Sequence, residues 1–357
     1  MIAGTDPLIL GVESSCDETA AALVTSGRAV RANIIASQHD LHRKFGGIVP
    51  EIASRAHVES ILPVMDQALE AAGASPDDID AVAVGNRPGL IGSLLVGVSA
   101  AKALAWALDR PLIGVNHVQA HLYAAALDAE PIEYPALGLV VSGGHTNLYA
   151  IHSPLHMQRL GRTIDDAVGE AYDKVAAILH LGFPGGPVLD RLAQQGDAAA
   201  VRFPRTLLDA TSLDFSYSGL KTAVLYHVRG KPQGRGSGAT FPRDADALSD
   251  DQKAAVAAAF QAAAIDVLIA KLQRAMEGLS AQGDRPRSVV IGGGVSANSL
   301  LRQRVAEFGH THQITVRIPD LAYCLDNAAM IAGLAHHRLA DHRVDDLTLP
   351  AIATTES

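Results

Sequence analysis

The chain has 357 residues, of which 48% are hydrophobic and only 4% aromatic, and its net charge is −9 at pH 7. This length fits two domains of ordinary size, and the acidic balance argues against an extended surface for nucleic-acid backbones. Two cysteines exclude a disulfide framework. The sequence suggests neither an apolar run of the roughly 20 residues that span a membrane nor a secretory signal. We therefore expect a cytoplasmic protein without membrane contact.

One local plan occurs twice along the chain. Residues 8–24, LILGVESSCDETAAALV, and residues 136–152, ALGLVVSGGHTNLYAIH, each follow the pattern strand, small polar turn, strand. A turn of Ser, Thr and Gly exposes backbone N–H groups and can bind an anion. Two such hairpins, about one domain-length apart, predict two related halves that close on a phosphate-bearing ligand.

The remaining elements alternate between buried strands and Ala-rich helices, which predicts an α/β fold. In the first half, the pattern predicts strands near 30–36, 79–86 and 111–116 and helices over 51–72, 94–108 and 117–128. In the second half, it predicts helices over 164–181, 215–228 and 250–277, a strand, glycine turn and helix over 288–305, and a last helix over 326–340. The Gly/Pro-rich segment 229–244 predicts a surface loop.

Two histidines on one predicted helix are candidate metal ligands. His117 and His121 are four residues apart, so their Cβ atoms lie about 5–6 Å apart on one face. Asp326 could complete a set of two histidines and one carboxylate. A chance pair among 15 histidines, and an Asp326 that caps the last helix, remain open alternatives. A zinc-peptidase site would need Glu after the first histidine, where this chain has Val118.

Two other segments carry candidate chemistry. Asp17 and Glu18 stand in the first turn, where acids can hold a cation or position a reacting group; solvated loop charges are the alternative. In IGGGVSANSLLR, glycines 292–294 precede a helix N-terminus, which favours a phosphate or ribose. Asn298 could bind a base or ribose edge, and a tight turn without a ligand is the alternative there.

Taken together, these segments resemble the bacterial tRNA threonylcarbamoyladenosine transferases of the TsaD family. The matching motifs are GVESSCDET, GGIVPEIASRAHVE, NHVQAHLYAA, VVSGGHTNLY, DDAVGEAYDKVA, GFPGGPVLD, FSYSGLKTAV, IGGGVSANSLLR and CLDNAAMIA. They run in the order of the family over residues 8–333 and are specific only as a set.

The resemblance implies a duplicated actin-like, ribonuclease-H-like fold with two lobes around a central cleft. The first lobe would comprise residues 1–132 and 327–345 and the second 133–326, followed by a tail at 346–357. The implied reaction moves a threonylcarbamoyl group from threonylcarbamoyl-AMP to the exocyclic amine of the adenosine 3′ of the anticodon, in tRNAs that read ANN codons. AMP would leave.

The resemblance also assigns roles to residues. His117, His121 and Asp326 would bind one divalent metal ion, usually iron or zinc, and Asp17 and Glu18 would be needed for turnover. An adenine nucleotide or threonylcarbamoyl-AMP would occupy the cleft, held by Val140, Val141, Ser142, Gly143, Gly144, Asp173, Gly186, Asp190 and Asn298. Some relatives have a Tyr metal ligand where this chain has Val140, so we expect a more open metal site here.

The implied partners are the tRNA anticodon loop, an inactive TsaB-like paralogue that forms a heterodimer with the chain, and a small TsaE-like ATPase. Few basic residues are available for RNA contact, so we expect weak tRNA binding by this chain alone. The candidates are Arg43, Lys44, Arg55, Arg229, Lys231 and Arg235. The alternatives are a small-molecule kinase or a chaperone-type ATPase of the same fold, and, disfavoured by Val118, a metalloprotease.

Overall fold

The computed structural model describes residues 6–234 and 240–354, and these form two compact units. The first unit runs up to Ile132 and includes His152–Met157 and the segment from Pro319 onward; the second comprises Glu133–Ile151 and Gln158–Ile318. The predicted lobes placed 152–157 and 319–326 in the second half and left 346–357 as a tail. In the structure Leu349 packs into the first core, which explains why the segment around it belongs to the first unit.

Each unit contains one five-stranded sheet. In the first sheet the order is β3-β2-β1-β4-β5, and in the second it is β8-β7-β6-β9-β10, so the two topologies are the same. The first three strands of each run antiparallel as a meander, and the last two join in parallel. The strands are β1 (Leu8–Glu13), β2 (Glu18–Thr25), β3 (Ala29–Ser37), β4 (Ala81–Arg87), β5 (Leu112–Asn116), β6 (Ala136–Val141), β7 (Thr146–Ser153), β8 (His156–Arg162), β9 (Ser288–Gly292) and β10 (Thr315–Arg317).

Except for α1, whose segment was predicted to be a loop, the helices follow the predicted order with shifted ends. They are α1 (His39–Arg43), α2 (Pro50–Ala72), α3 (Ile91–Leu108), α4 (His117–Tyr123), α5 (Val168–Ile178), α6 (Gly185–Ala193), α7 (Ser218–Arg229), α8 (Asp250–Ala281), α9 (Ser299–His312) and α10 (Ala328–Ala340). The helix predicted over 117–128 ends at Tyr123, and a short 3-10 turn covers Ala124–Ala126. Helix α5 is also shorter than predicted, because the segment before Val168 forms a loop instead.

Strand β8 was not predicted from the sequence. Its residues are mostly half-exposed or exposed, as expected for an edge strand, so the sequence lacks the apolar run that marks a buried strand. Strand β7, its neighbour, is almost fully buried and was predicted correctly.

Two helices, α3 and α8, are long and apolar enough to cross a membrane by length and composition alone, so the expectation that no such stretch exists was wrong. Within the most apolar stretch of 18 residues in each helix, 72% is buried in α8 and 33% in α3. Helix α8 supplies much of the core of the second unit, including Phe260, Ile265 and Leu268. The core helices of water-soluble domains pass the same test, so this is weak evidence for membrane insertion.

Helix α10 packs directly on strand β1 because the strand has a glycine at the contact. A Cβ at Gly11 would collide with the carbonyl oxygen of Ala328 and lie 2.9 Å from the backbone nitrogen of Ala332. Both are backbone atoms that cannot move aside without shifting the helix. Gly11 thus fixes how closely the last helix approaches the first sheet.

We predict that Gly11→Ala lowers the free energy of unfolding of the first unit by about 1–3 kcal/mol, because the added methyl overpacks this contact. Gly47→Ala is the matched control, since a Cβ there meets nothing within 4 Å and its φ is not positive. Chemical denaturation followed by circular dichroism measures both variants. Equal midpoints for the two would contradict the prediction.

Candidate active site

The two histidines of α4 converge on one late carboxylate. Asn116 begins the helix by accepting hydrogen bonds from the backbone N–H groups of Val118 and Gln119. The rings of His117 and His121 are buried, with centroids 4.6 Å apart. Asp326 Oδ1 lies 3.0 Å from His121 Nε2 and 3.5 Å from His117 Nε2. The three predicted metal-ligand residues therefore come together within the first unit.

Asp326 is not the N-cap of the last helix. That role belongs to Asn327, whose side chain accepts a hydrogen bond from Met330 N at 3.0 Å. This removes the alternative explanation for Asp326 and leaves its carboxylate facing the imidazoles.

Glu13, at the end of β1, holds His117 from the other side. Its Oε2 is 3.0 Å from His117 Nδ1, and its Oε1 accepts a hydrogen bond from Ser15 N at 2.6 Å. The Ser15 hydroxyl also lies 3.1 Å from His117 Nδ1. With Nδ1 engaged, only Nε2 of His117 faces Asp326. By contrast, His121 Nδ1 is buried without a hydrogen-bond partner among the described residues.

The two carboxylates at this centre, those of Glu13 and Asp326, require a compensating positive charge. Burial disfavours the charged form of both rings, but the carboxylates of Glu13 and Asp326 outweigh burial at His117 and raise its pKa to about 9. At His121 burial dominates and lowers the pKa. Two acids and two imidazoles thus share one buried space, and a proton or a metal ion can supply the positive charge. The donor set of two Nε2 atoms and one carboxylate oxygen, all within 4.8 Å of one another, fits a divalent transition metal.

The two predicted acids lie where the β1–β2 turn meets β2: Asp17 is the last residue of the turn and Glu18 the first of the strand, and both are almost fully buried. Asp17 is 7% exposed and Glu18 6% exposed. His39, at the start of α1, lies 3.1 Å from Glu18 Oε1 and 3.6 Å from Asp17 Oδ2. Burial raises the pKa of Glu18 to about 8, and the hydrogen bond from His39 opposes that rise. The hydrogen bond to Glu18 in turn raises the pKa of His39.

The two hairpin turns differ in chemistry, although the sequence suggested an anion site in both. In the first turn, Ser15 N already donates to Glu13 and two carboxylates are buried nearby, which disfavours an anion. In the second, Gly143 and Gly144 are exposed, a Cβ at either would meet nothing within 4 Å, and their N–H groups have no acceptor in the described part of the chain. Only the second turn is open to an anion.

Residues Val140 and Val141 lie inside β6 and are fully buried. Their main chains pair with β7 opposite Asn147 and Thr146, so the accessible backbone begins only at Ser142. Ser142 closes the turn, because its N–H donates to His145 O at 2.8 Å and its hydroxyl accepts from His145 N.

The other predicted binding residues of the second unit are tied to protein groups. Asp173 accepts a hydrogen bond from Gly185 N at 2.8 Å, which fixes the start of α6 beside Gly186, where a Cβ would meet nothing within 4 Å. Asn298 caps α9 through Leu301 N, and its Nδ2 donates to Gln261 Oε1 at 2.8 Å. Asp190 accepts from Gln261 Nε2 and from the Ser299 hydroxyl. This network orients Asp190 and Asn298.

Sequence reasoning missed Glu13, His39 and Gln261. Glu13 is a charged residue at the end of an apolar strand, and Gln261 is a buried polar residue in an Ala-rich helix. Both are visible in the sequence as polar residues in buried elements, where polar groups require partners. His39 had no such signal, because its relation to the acid pair arises only when α1 folds next to the turn.

Comparison with solved structures places the chain in the actin-like ATPase fold, as expected. Component A of (R)-2-hydroxyglutaryl-CoA dehydratase from Acidaminococcus fermentans matches over 94% of this chain and 99% of its own, with a TM-score of 0.50 and 13% identity. At this identity the likeness concerns the fold alone.

Sequence comparison identifies the family. The model of the TsaD family, tRNA N6-adenosine threonylcarbamoyltransferase, matches residues 29–333. A protein of that name from Symbiobacterium thermophilum is 50% identical over 348 residues, covering 98% of this chain and 96% of its own. One from Moorella thermoacetica is 48% identical over 351 residues, with 98% and 96% coverage.

The sequence comparisons thus make the chain an enzyme, a transferase that modifies tRNA. The chain belongs to the TsaD family of tRNA N6-adenosine threonylcarbamoyltransferases. Nothing in the comparisons supports the kinase or ATPase alternative.

We predict that the Glu18 carboxyl titrates near pH 8 in the folded protein. Because this pKa lies above the ordinary value of about 4.3, the folded state keeps a proton that the unfolded state releases. The stabilisation from Glu18 is therefore complete below about pH 4 and is lost as pH rises through about 8. The ¹³C NMR shift of the Glu18 carboxyl against pH measures the midpoint, with Glu18→Gln to assign the signal.

His39→Ala should move this midpoint upward, because it removes the hydrogen bond that opposes the rise. A Glu18 midpoint near 4 in the wild-type protein, or one that His39→Ala moves downward, would contradict this account.

Proposed function

We propose that the chain transfers the threonylcarbamoyl group from threonylcarbamoyl-AMP to the exocyclic amine of the adenosine 3′ of the anticodon, in tRNAs that read ANN codons. The amine nitrogen forms a bond to the carbamoyl carbon, the bond from that carbon to the phosphate oxygen breaks, and AMP leaves while the amine loses a proton. The observation that supports this most directly is the set of two buried histidines, His117 and His121, with the half-buried Asp326, found in a chain of this family.

In this proposal His117, His121 and Asp326 hold one divalent metal ion, iron or zinc. When bound, such an ion supplies Lewis-acid polarisation of a carbonyl or carboxylate oxygen of the substrate. Glu13 fixes the ring of His117 through Nδ1, so that Nε2 faces Asp326. Valine has no donor atom, so Val140 supplies no metal ligand.

Asp17 and Glu18 are the proposed catalytic carboxylates, and one of them acts as the general base. A carboxylate accepts the proton that the attacking amine loses, and its usefulness as a base rises as its pKa approaches the working pH. Glu18 meets this condition because burial raises its pKa to about 8, and His39 holds it in place. Asp17 lies beside the same histidine. Which of the two accepts the proton is decided by substituting each in turn.

The second unit would bind the adenylate. The open N–H groups of Gly143 and Gly144 suit a phosphate, and Val140, Val141 and Ser142 set the position of that turn. Gly186 leaves space beside the start of α6, and Asp173, Asp190 and Asn298 fix the elements around it. We propose an adenine nucleotide or threonylcarbamoyl-AMP as the ligand.

The proposed partners are the tRNA anticodon loop, an inactive TsaB-like paralogue and a small TsaE-like ATPase, in the cytoplasm. Weak tRNA binding by the isolated chain follows from its charge of −9 and from the local pairing of its cations. Arg43 pairs with Asp40 at 2.7 Å, and Lys44 lies over the Phe45 ring. Arg235 lies outside the described residues, and Arg55, Arg229 and Lys231 remain candidates for RNA contact.

The decisive experiment combines the protein and its two partners with synthetic threonylcarbamoyl-AMP and unmodified tRNA, and measures the modified nucleoside after digestion. We expect His117→Ala to reduce its formation by about 10²-fold or more, since a Lewis acid supplies several kcal/mol. His310→Ala, an exposed histidine, should leave the yield unchanged. Full activity of His117→Ala would refute the proposed centre, and absence of product with the wild-type protein would refute the proposed donor or acceptor.

We further predict that Glu13→Gln weakens zinc binding by about 10- to 100-fold, because loss of the carboxylate charge lowers the basicity of His117. Ser15→Ala removes only a neutral contact to the same ring nitrogen and should have a smaller effect. Competition with a chromophoric chelator measures both dissociation constants. A folded Glu13→Gln protein that binds zinc as tightly as the wild type would contradict the positioning role of Glu13.

A further inference from the structure

A cavity of about 320 Å³ lies at the carboxyl ends of β4 and β5 in the first unit, apart from the His117 centre. Its lining includes three guanidinium groups and two carboxamides, and no carboxylate. Because one water molecule takes about 30 Å³ of liquid, the cavity has room for a phosphate group with several waters. The polar residues that line it are Arg87, Asn116, Gln119, Arg338 and Arg343.

Arg87 is the cation that lacks a counter-charge. It ends β4, opposite Asn116 in the register of the two parallel strands. Its Nε is buried without a hydrogen-bond partner among the described residues, and within the same part of the chain no carboxylate forms an ion pair with it. A guanidinium that is partly removed from water without a partner is unfavourable. An anion bound in the cavity would remove this penalty.

The other two arginines shape the cavity. Arg338 is held rigidly, since Nη1 donates to Gly114 O at 2.8 Å and Nη2 lies 3.2 Å from Asp345 Oδ2. Arg343 has 61% of its side chain exposed and pairs only loosely with Asp341, at 3.6 Å. Asp345 and Asp341 thus balance two of the three positive charges. The remaining charge, on Arg87, suits a ligand that carries a single negative charge.

A backbone phosphate of RNA is such a ligand. Each phosphodiester carries one negative charge, and guanidinium groups bind its oxygens in a bidentate manner. The carboxamides of Asn116 and Gln119 can add neutral hydrogen bonds. In a chain with net charge −9, contact with an RNA substrate requires local cationic sites of this kind.

We propose that Arg87, together with Arg338 and Arg343, forms a phosphate-binding site that takes a backbone phosphate of the tRNA substrate. The inference rests on the tRNA-modifying activity of the family and not on the proposed metal or donor. The same chemistry would accept a free phosphate group, so the experiment separates the two sources.

The test compares the wild-type protein with Arg87→Gln, using Arg110→Gln as a control for the loss of one charge. Arg110 is exposed and precedes β5, at the opposite end of the strands from Arg87. Fluorescence anisotropy gives the dissociation constant of unmodified tRNA from the protein in complex with its partners, at several salt concentrations. Calorimetry with inorganic phosphate gives binding of the free anion, and circular dichroism confirms folding.

We expect Arg87→Gln to weaken tRNA binding by about tenfold, the value of one charge-assisted hydrogen bond, and to lower the log–log salt slope by about one. Arg110→Gln should change neither. If Arg87→Gln weakens only the binding of inorganic phosphate, the cavity binds a free phosphate and the RNA contact is refuted. If it changes neither ligand, or no more than Arg110→Gln does, the site itself is refuted. Threonylcarbamoyl transfer by the wild-type protein tests the proposed function separately.

Discussion

The first unit depends on the balance of charge around one buried imidazole pair. Glu13 and Asp326 approach His117 from opposite sides, and burial keeps water from screening them. Two carboxylates in such a place are stable only if positive charge lies between them, as a proton on His117 or as a metal ion. Strand β1, helix α4 and the start of α10 must therefore pack together at this point. Gly11 permits this packing, since any larger residue would push α10 away from the sheet.

The second unit has the same strand order as the first but a different turn between its first two strands. Its β6–β7 turn has exposed glycines with open backbone N–H groups, where the β1–β2 turn has buried carboxylates. In the same unit, a hydrogen-bonded network of Gln261, Asn298 and Asp190 joins three helices. The two units therefore share one strand order and differ in the chemistry of the turn after the first strand.

Much of the fold could be predicted from the sequence. The repeated hairpins and the order of most helices and strands follow from hydrophobic periodicity and glycine-bounded turns, and the duplicated fold was implied by the family resemblance. Strand β8 could not be predicted, because an edge strand with exposed residues carries no apolar signal. The boundaries of the units also differed from expectation, because residues 319–326 pack with the first unit, although they follow a strand of the second in the chain.

For the candidate site, local patterns in the sequence indicated several candidate residues, among them His117 and His121, but not Glu13, His39 or Gln261. The spacing of His117 and His121 on one helix face, and the glycines of the second turn, follow from local geometry alone. Only the tertiary structure decided which distant groups meet them. Asp326 is 205 residues from His121 along the chain, and Glu13 is 104 from His117. Such contacts depend on how sheet and helices pack, and packing is set by the whole core and not by any local pattern.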